Sequence, residues 1–325
     1  MTPVLIGGSG RSGTSILKQI LSAHPCTVSI ASELRIIIDP GGGLDLFSAL
    51  TDRWSPYSAD RALLRFRRLL EDCASENPFQ KAFRLMVTAV GASPRRYGHC
   101  AIGSQFGDSF YRQRLERLFG QLIRDRSAGY WIGSPSYRMN PVIQEAGPLD
   151  SETAGEIIGS FFHDLYRHRA GSDKVTHWLD DTPFNILHAL GLLALFPDMR
   201  LLHIHRNPLD VVASYRTKAW GGQETETIAR RLSHVFQKWL AVRDQLPAPM
   251  YMEIGLEPLL DNPKKVLAEL CGFAGLETDQ AIIEAAENVV REDAHLGRWK
   301  SDLSPQEADK CRELFHPIMT AYGYV

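Results

Sequence analysis

Two stretches of this chain combine residue types suited to holding anions. The first is Gly7-Gly8-Ser9-Gly10-Arg11-Ser12-Gly13-Thr14, a glycine-rich turn. Successive backbone N–H groups in such a turn, aimed at a helix N-terminus, form a concavity for phosphate oxygens. Ser12, Thr14 and Ser15 add hydroxyl donors. Gly8 and Gly13 stand at the spacing of the triphosphatase loop GxxxxGK(S/T), but Thr14 occupies the place of its lysine, and the cation stands inside the loop as Arg11. The second stretch, Arg206-Asn207-Pro208-Leu209-Asp210-Val211-Val212-Ala213-Ser214, sets an arginine at the end of an apolar run and a serine about two helical turns later, able to face one anion. A triphosphatase also needs a strand ending in Asp to hold magnesium, whereas the run Leu201 to His205 leads into His-Arg. The pair reads as a phosphate cradle without metal chemistry.

Presenting these groups requires a strand that ends at the glycine loop and a helix that leaves it. Pro3 to Ile6 predicts the strand and Thr14 to Ala23 the helix, with Thr27 to Ile30 as the next short strand before Ser32-Glu33-Leu34-Arg35. Pro40-Gly41-Gly42-Gly43 breaks the pattern, and a largely helical tract follows to about Leu122. A second set begins with a strand at Val175 to Leu179, turns at Asp180-Asp181-Thr182-Pro183 and continues as an apolar helix to Phe196. Pro183 suits the first turn of that helix, where its missing N–H has no partner to lose. Arg200 to His205 is a buried strand, the helix from Asn207 runs to Thr217, and Tyr251 to Ile254 is a further strand. Strands alternating with helices predict an α/β fold with a central parallel sheet flanked by helices. No fixed-period repeat or long linker appears, so residues 1–325 are expected to form a single domain, with about 40–174 as a mostly helical insert or acceptor-site cover.

A formal net charge of −2 gives no global attraction to polyanions, so any anion site is local and no nucleic-acid partner is expected. The five cysteines, Cys26, Cys73, Cys100, Cys271 and Cys311, form no CxxC pair or zinc-ligand spacing, and most of them read as reduced core thiols. The longest apolar runs, such as Ile186 to Phe196, are too short to span a bilayer. The first strand begins within a few residues of Met1, leaving no room for a signal peptide, and the expected compartment is the cytoplasm. Asp180 and Asp181 lack further ligands, so no metal is expected there. His177, His203 and His205 alternate with apolar residues as hydrogen-bonded sheet histidines do, His205 lying nearest the anion-binding end.

Read together, the loop with its helix ending in His24-Pro25, and the later run Phe196-Pro197, Arg200-Leu201-Leu202, Ile204, Arg206-Asn207-Pro208, Asp210-Val211-Val212 and Ser214, resemble the sulfotransferases that use 3′-phosphoadenosine 5′-phosphosulfate (PAPS). The arginine in the loop is most similar to the tyrosylprotein sulfotransferases and their bacterial relatives; the commoner cytosolic enzymes carry lysine there. Glu257 to Pro263 resembles the family's YEDLxxxP segment, with Leu256 where tyrosine is usual, and Leu296-Gly297-Arg298-Trp299-Lys300 its late G-x-W-K loop.

The resemblance implies a P-loop-like fold and a sulfuryl transfer to a hydroxyl-bearing acceptor, with the bisphosphate PAP as product and no metal. It implies that Gly10, Arg11, Ser12, Gly13, Thr14 and Ser15 hold the 5′-phosphosulfate, that Arg206 and Ser214 hold the 3′-phosphate, and that Arg298 and Lys300 are candidates for the same phosphate. Catalysis would use Glu33 as general base with Arg35 two residues on, Arg11 against the charge of the leaving phosphosulfate, and Ser214 as a bridge between the phosphates. Where the family carries Lys-Thr-Pro or Lys-Asp-Pro, this chain has Asp181-Thr182-Pro183. Lys18 or Lys218 would then have to cover the bridging oxygen, or Asp181 orients the acceptor. Phe79, Phe83, Phe106, Phe110, Tyr111, Tyr130, Trp131 and Tyr137 lie in the segment expected to cover the acceptor, each competing with a role as ordinary helical core, and Trp220 stands beside Gly221-Gly222 as a mobile edge. A nucleotide kinase using the same loop, and a non-catalytic binder, remain the competing readings.

Overall fold

The computed structural model describes residues 1–74, 86, 102–132, 141–292 and 295–324. Thr2–Ser29, Lys174–Leu190 and Asp198–Val325 make one compact unit, and Ile30–Asp173 with Gly191–Pro197 makes another.

The first unit is built on a parallel sheet of β1 (Thr2–Gly7), β2 (Thr27–Ser29), β3 (His177–Asp180), β4 (Arg200–His205) and β5 (Tyr251–Gly255), in the order β2-β3-β1-β4-β5. β1 is apolar and almost wholly buried because both of its edges are paired: Val4 lies opposite Leu179 and Arg200, and Leu5 opposite Asp180 and Leu201. Since all five strands run the same way, the loops that leave β1, β3 and β4 emerge side by side at one edge of the sheet. Those loops are 8–13, 181–182 and 206–207, the segments singled out by their residue types.

Helix α1 (Thr14–Leu21) packs Leu17, Ile20 and Leu21 onto Val4, Ile6, Leu202 and Ile204. Helices α2 (Pro208–Arg216), α3 (Thr225–Arg243) and α4 (Pro305–Ala321) share a second core through Val211, Val212, Phe236 and Phe315. Such wholly buried aliphatic and aromatic side chains each contribute roughly 1.5–3 kcal/mol of transfer free energy. They fix the sheet and leave its carboxyl edge to polar loops. The helix expected directly after Pro183 begins instead as a 3₁₀ turn, Pro183–His188, because the Gly8 N–H takes the Pro183 carbonyl at 2.7 Å and holds it off the helical ladder.

The second unit holds the helices Gly43–Leu50, Pro56–Cys73, Asp108–Leu122 and Ser151–Ala170, and an antiparallel pair, Asp125–Ala128 with Val142–Glu145. The last helix of the expected tract ends at Leu122, and the pair follows it. Asp-Arg-Ser-Ala has little strand propensity, and all four residues are exposed. Its partner strand is set by the fully buried Asp60, which accepts the Gln144 N–H at 2.9 Å and the Trp131 indole N–H at 3.0 Å. Phe106 and Tyr111 are core, Phe106 edge-on to Tyr166, while Tyr130 is exposed. Phe79, Phe83 and Tyr137 lie outside the described residues.

Candidate active site

The glycine loop is shaped by close approach. A Cβ at Gly8 would lie 2.2 Å from Ser12 Oγ and 2.7 Å from the Ile204 carbonyl, so only glycine fits between the loop and β4. Gly10, Arg11 and Gly13 have φ of 74°, 57° and 110°, the left-handed backbone that a tight glycine-rich turn requires. Gly13 caps α1 and has no side chain to accept from the first-turn N–H groups. Ser12 and Thr14 are buried and Ser15 is exposed. Ser12 Oγ, fully buried, has no hydrogen-bond partner among the described residues.

The loop and α2 are joined directly. Arg11 Nε donates to Ser214 Oγ at 3.1 Å, and the Tyr215 hydroxyl donates to the Ser9 carbonyl at 2.9 Å. Ser214 is buried, so its oxygen is held at the loop and away from solvent. Trp220 is largely exposed and packs edge-on to Tyr215.

Arg206 leaves the end of β4 only 8% exposed. Its Nη2 donates to the His295 carbonyl and lies 3.6 Å from Asp210, while its Nε has no partner among the described residues. Burial depresses its ionisation; the carboxylates of Asp210 and Glu257 oppose that, and the charges of Arg298 and Arg11 add to it. Three arginines therefore share one electrostatic neighbourhood. The Gly297–Lys300 segment is fastened over it: Asp210 accepts the N–H groups of Gly297 at 2.8 Å and Trp299 at 3.0 Å, and Arg298 pairs with Asp302 at 2.6 Å. Lys300 is exposed, its ammonium 6.0 Å from the Trp299 ring centre.

Glu33 and Arg35 belong to the other unit. Arg35 Nη1 lies 4.0 Å from the Glu33 carboxylate, and its Nε lies 3.3 Å from Asp39. Asp180 and Asp181 are engaged separately. Asp180 accepts from Thr182 Oγ1 at 3.1 Å and Asn185 Nδ2 at 2.8 Å, whereas Asp181 pairs with Lys18 at 2.6 Å. Lys18 is thus paired with Asp181, the residue that the resemblance sets in the place of a lysine.

The histidines serve the sheet. His177 bonds the Ala274 carbonyl at 3.0 Å. His203 bonds Glu253 at 3.1 Å, and His205 lies 2.9 Å from the Tyr324 hydroxyl. Burial pulls His203 below the ordinary imidazole value and His205 to about 3, so both rings are neutral near pH 7. In the unfolded chain each titrates near 6.5, at roughly its reference value. The unfolded state then binds more protons between about pH 6.5 and 3, and stability falls as pH drops through that window. Urea midpoints should decrease from neutral pH to about pH 5, less steeply in His205→Gln; equal slopes would exclude His205 as a source.

Asp210, Tyr215, Glu257 and the His295 carbonyl were not assigned roles from the sequence. Asp210 and Glu257 stood inside the two family-like segments, whereas nothing in residue type marked Tyr215. Residues 111–280, just over half the chain, match the model of the family described as "Sulfotransferase family". The chain belongs to that family. Among solved structures it is similar to the sulfotransferase domain from the curacin biosynthetic pathway, 14% identical over 98% of each chain with a TM-score of 0.52. That likeness shows the shared P-loop-like α/β fold. Other neighbours are the sulfotransferase domain of the Synechococcus PCC 7002 olefin synthase (17% identical, 96% of this chain and 87% of that one, TM-score 0.45) and sulfotransferase STF9 from Mycobacterium avium (14%, 98% and 76%, TM-score 0.46). No curated protein matches the chain. Among the described residues, no helix is long and apolar enough to cross a membrane.

Proposed function

We propose that this sulfotransferase takes its sulfuryl group from PAPS and delivers it to a hydroxyl-bearing acceptor. The observation that carries the reading is a pair of linked but distinct polar clusters, each with a buried atom that lacks a partner among the described residues. The glycine loop brings the partnerless Ser12 Oγ, Arg206 brings a partnerless Nε, and the Arg11–Ser214 hydrogen bond joins them. A buried polar atom without a partner costs about 1–3 kcal/mol, so both atoms favour an oxygen-rich ligand. A donor with phosphate at two ends of one nucleoside suits two such sites; a single triphosphate run suits them less well.

Such a donor supplies an activated sulfuryl group on a phosphate leaving group. In this reading the glycine-loop N–H groups, Ser12 and Thr14 hold the 5′ end, with Ser15 at the loop's exposed rim. Arg206, Ser214 and the Arg298–Lys300 segment hold the 3′-phosphate. Glu33, adjoined by Arg35, takes the acceptor's proton as its oxygen bonds to sulfur. Arg11 offsets the charge that collects on the departing phosphate oxygen. Residues 40–174, the mostly helical portion of a single working domain, select the acceptor, and the protein acts in the cytoplasm.

The first test is a thermal-shift titration with PAP against ATP and magnesium. At a ligand concentration 100-fold above Kd, PAP should stabilise the fold by about 2.7 kcal/mol. Arg206→Ala should weaken PAP binding about 10- to 150-fold, the range for a lost charge-assisted hydrogen bond. Stabilisation by ATP and magnesium alone would sink the PAPS reading in favour of a kinase.

A further inference from the structure

The groups behind the second anion site lead to a residue outside the loop and α2. α4 ends in a left-handed reversal: Gly323 has φ 71°, and the Tyr324 N–H reaches back to the Met319 carbonyl at 2.8 Å. This turn lays Tyr322 and Tyr324 against the ends of β4 and β5. Tyr322 stacks on His205 with 4.0 Å between ring centres. Tyr324 donates its O–H to Glu257 Oε2 at 2.8 Å. Because the phenol has one proton, its 2.9 Å contact with His205 Nδ1 makes the ring N–H the donor there. The other Glu257 oxygen accepts the Asn207 N–H at 2.8 Å. Asn207 directly follows Arg206 and caps α2, its side chain accepting from Leu209.

We infer that Tyr324 is a positioning residue for the 3′-phosphate site, acting through Glu257. The inference rests on the PAPS reading above. Glu257 is a negative group beside Arg206 and the N-terminus of α2, where a phosphate must settle. A carboxylate with an open oxygen there would turn to the Arg206 guanidinium and compete with the ligand for it. Two donors prevent this. The Asn207 N–H and the Tyr324 O–H each occupy one oxygen, spread the charge and fix the loop that carries Arg206. Tyr324→Phe keeps the ring and its packing and frees one oxygen.

The experiment compares binding of PAP and of adenosine 5′-phosphate, which differ only in the 3′-phosphate, to the full chain. Wild type, Tyr324→Phe, Glu257→Gln and the double variant are measured, with melting temperatures alongside. Tyr324→Phe should weaken PAP binding about tenfold and leave adenosine 5′-phosphate within about twofold. In the Glu257→Gln background the Tyr324 substitution should have no further effect on that selectivity, as expected for residues acting in series. Equal loss for both ligands, unchanged PAP affinity or additive effects would overturn the positioning role. If wild type itself does not prefer PAP, the donor reading fails and takes this inference with it. If wild type prefers PAP and Tyr324→Phe does so equally, the positioning role alone fails.

Discussion

Replacing Arg11 with glycine is expected to lower sulfuryl-transfer turnover by about 10²- to 10³-fold, the usual loss for one preorganised charge-stabilising donor, while leaving the melting temperature close to wild type. Arg11 sits at φ 57°, where a residue with a Cβ costs about 1–2 kcal/mol. Glycine removes that cost but gains freedom in the unfolded chain, worth about 0.4–1 kcal/mol in the other direction. The arginine is exposed, so little packing is lost, and its hydrogen bond to Ser214 contributes about 0.5–1.5 kcal/mol net. These effects nearly cancel in stability and do not cancel in catalysis. Single-turnover rates with calorimetry separate the two. A variant that melts far lower, or that retains near wild-type turnover, would show that Arg11 shapes the loop rather than meeting the donor.

Glu33→Gln is expected to lower turnover by about 10²- to 10⁴-fold, the range for a lost general base, with PAP affinity unchanged. The amide keeps the shape of the side chain and removes the basic oxygen. Arg35 retains Asp39 at 3.3 Å, and half-exposed ion pairs contribute only about 0–1 kcal/mol, so the fold should be nearly indifferent to the change. Glu33→Asp, which shortens the carboxylate's reach, should recover part of the rate. Near wild-type turnover in Glu33→Ala, with the same pH dependence, would remove Glu33 from the mechanism.

The charges around Arg206 oppose one another. Arg206 is buried and carries the repulsion of Arg298 and Arg11, offset by the Asp210 and Glu257 carboxylates. A bound bisphosphate would relieve that repulsion, which is why the proposed ligand should stabilise the whole fold. Asp210 holds the Gly297 and Trp299 N–H groups, so the same carboxylate ties the late loop to the arginine beneath it.

The frame of this site was legible in the residues alone. Short apolar runs ending in Gly7-Gly8 and in His205-Arg206, each followed by a helix, determine a parallel sheet with two polar loops at one edge, because period and turn chemistry are local properties of the chain. Asp125–Ala128 shows the limit: no propensity marks it as a strand, and the buried Asp60, distant in sequence, fixes its partner. The same holds for the site's supports. Residue types 12, 206 and 214 pointed to anions as an expectation, but only the fold showed that Ser12 Oγ and Arg206 Nε lack partners among the described residues while Ser214 Oγ accepts from Arg11. Asp181 read as a missing cation, and the fold seats Lys18 against it at 2.6 Å. Tyr324 carried no signal, because its role depends on a turn at Gly323 meeting His205 at the end of β4 and Glu257 in the helical turn after β5. Local sequence determined the loops and their charge; the tertiary structure decided which polar atoms are satisfied, since hydrogen-bond partners are chosen by proximity in space.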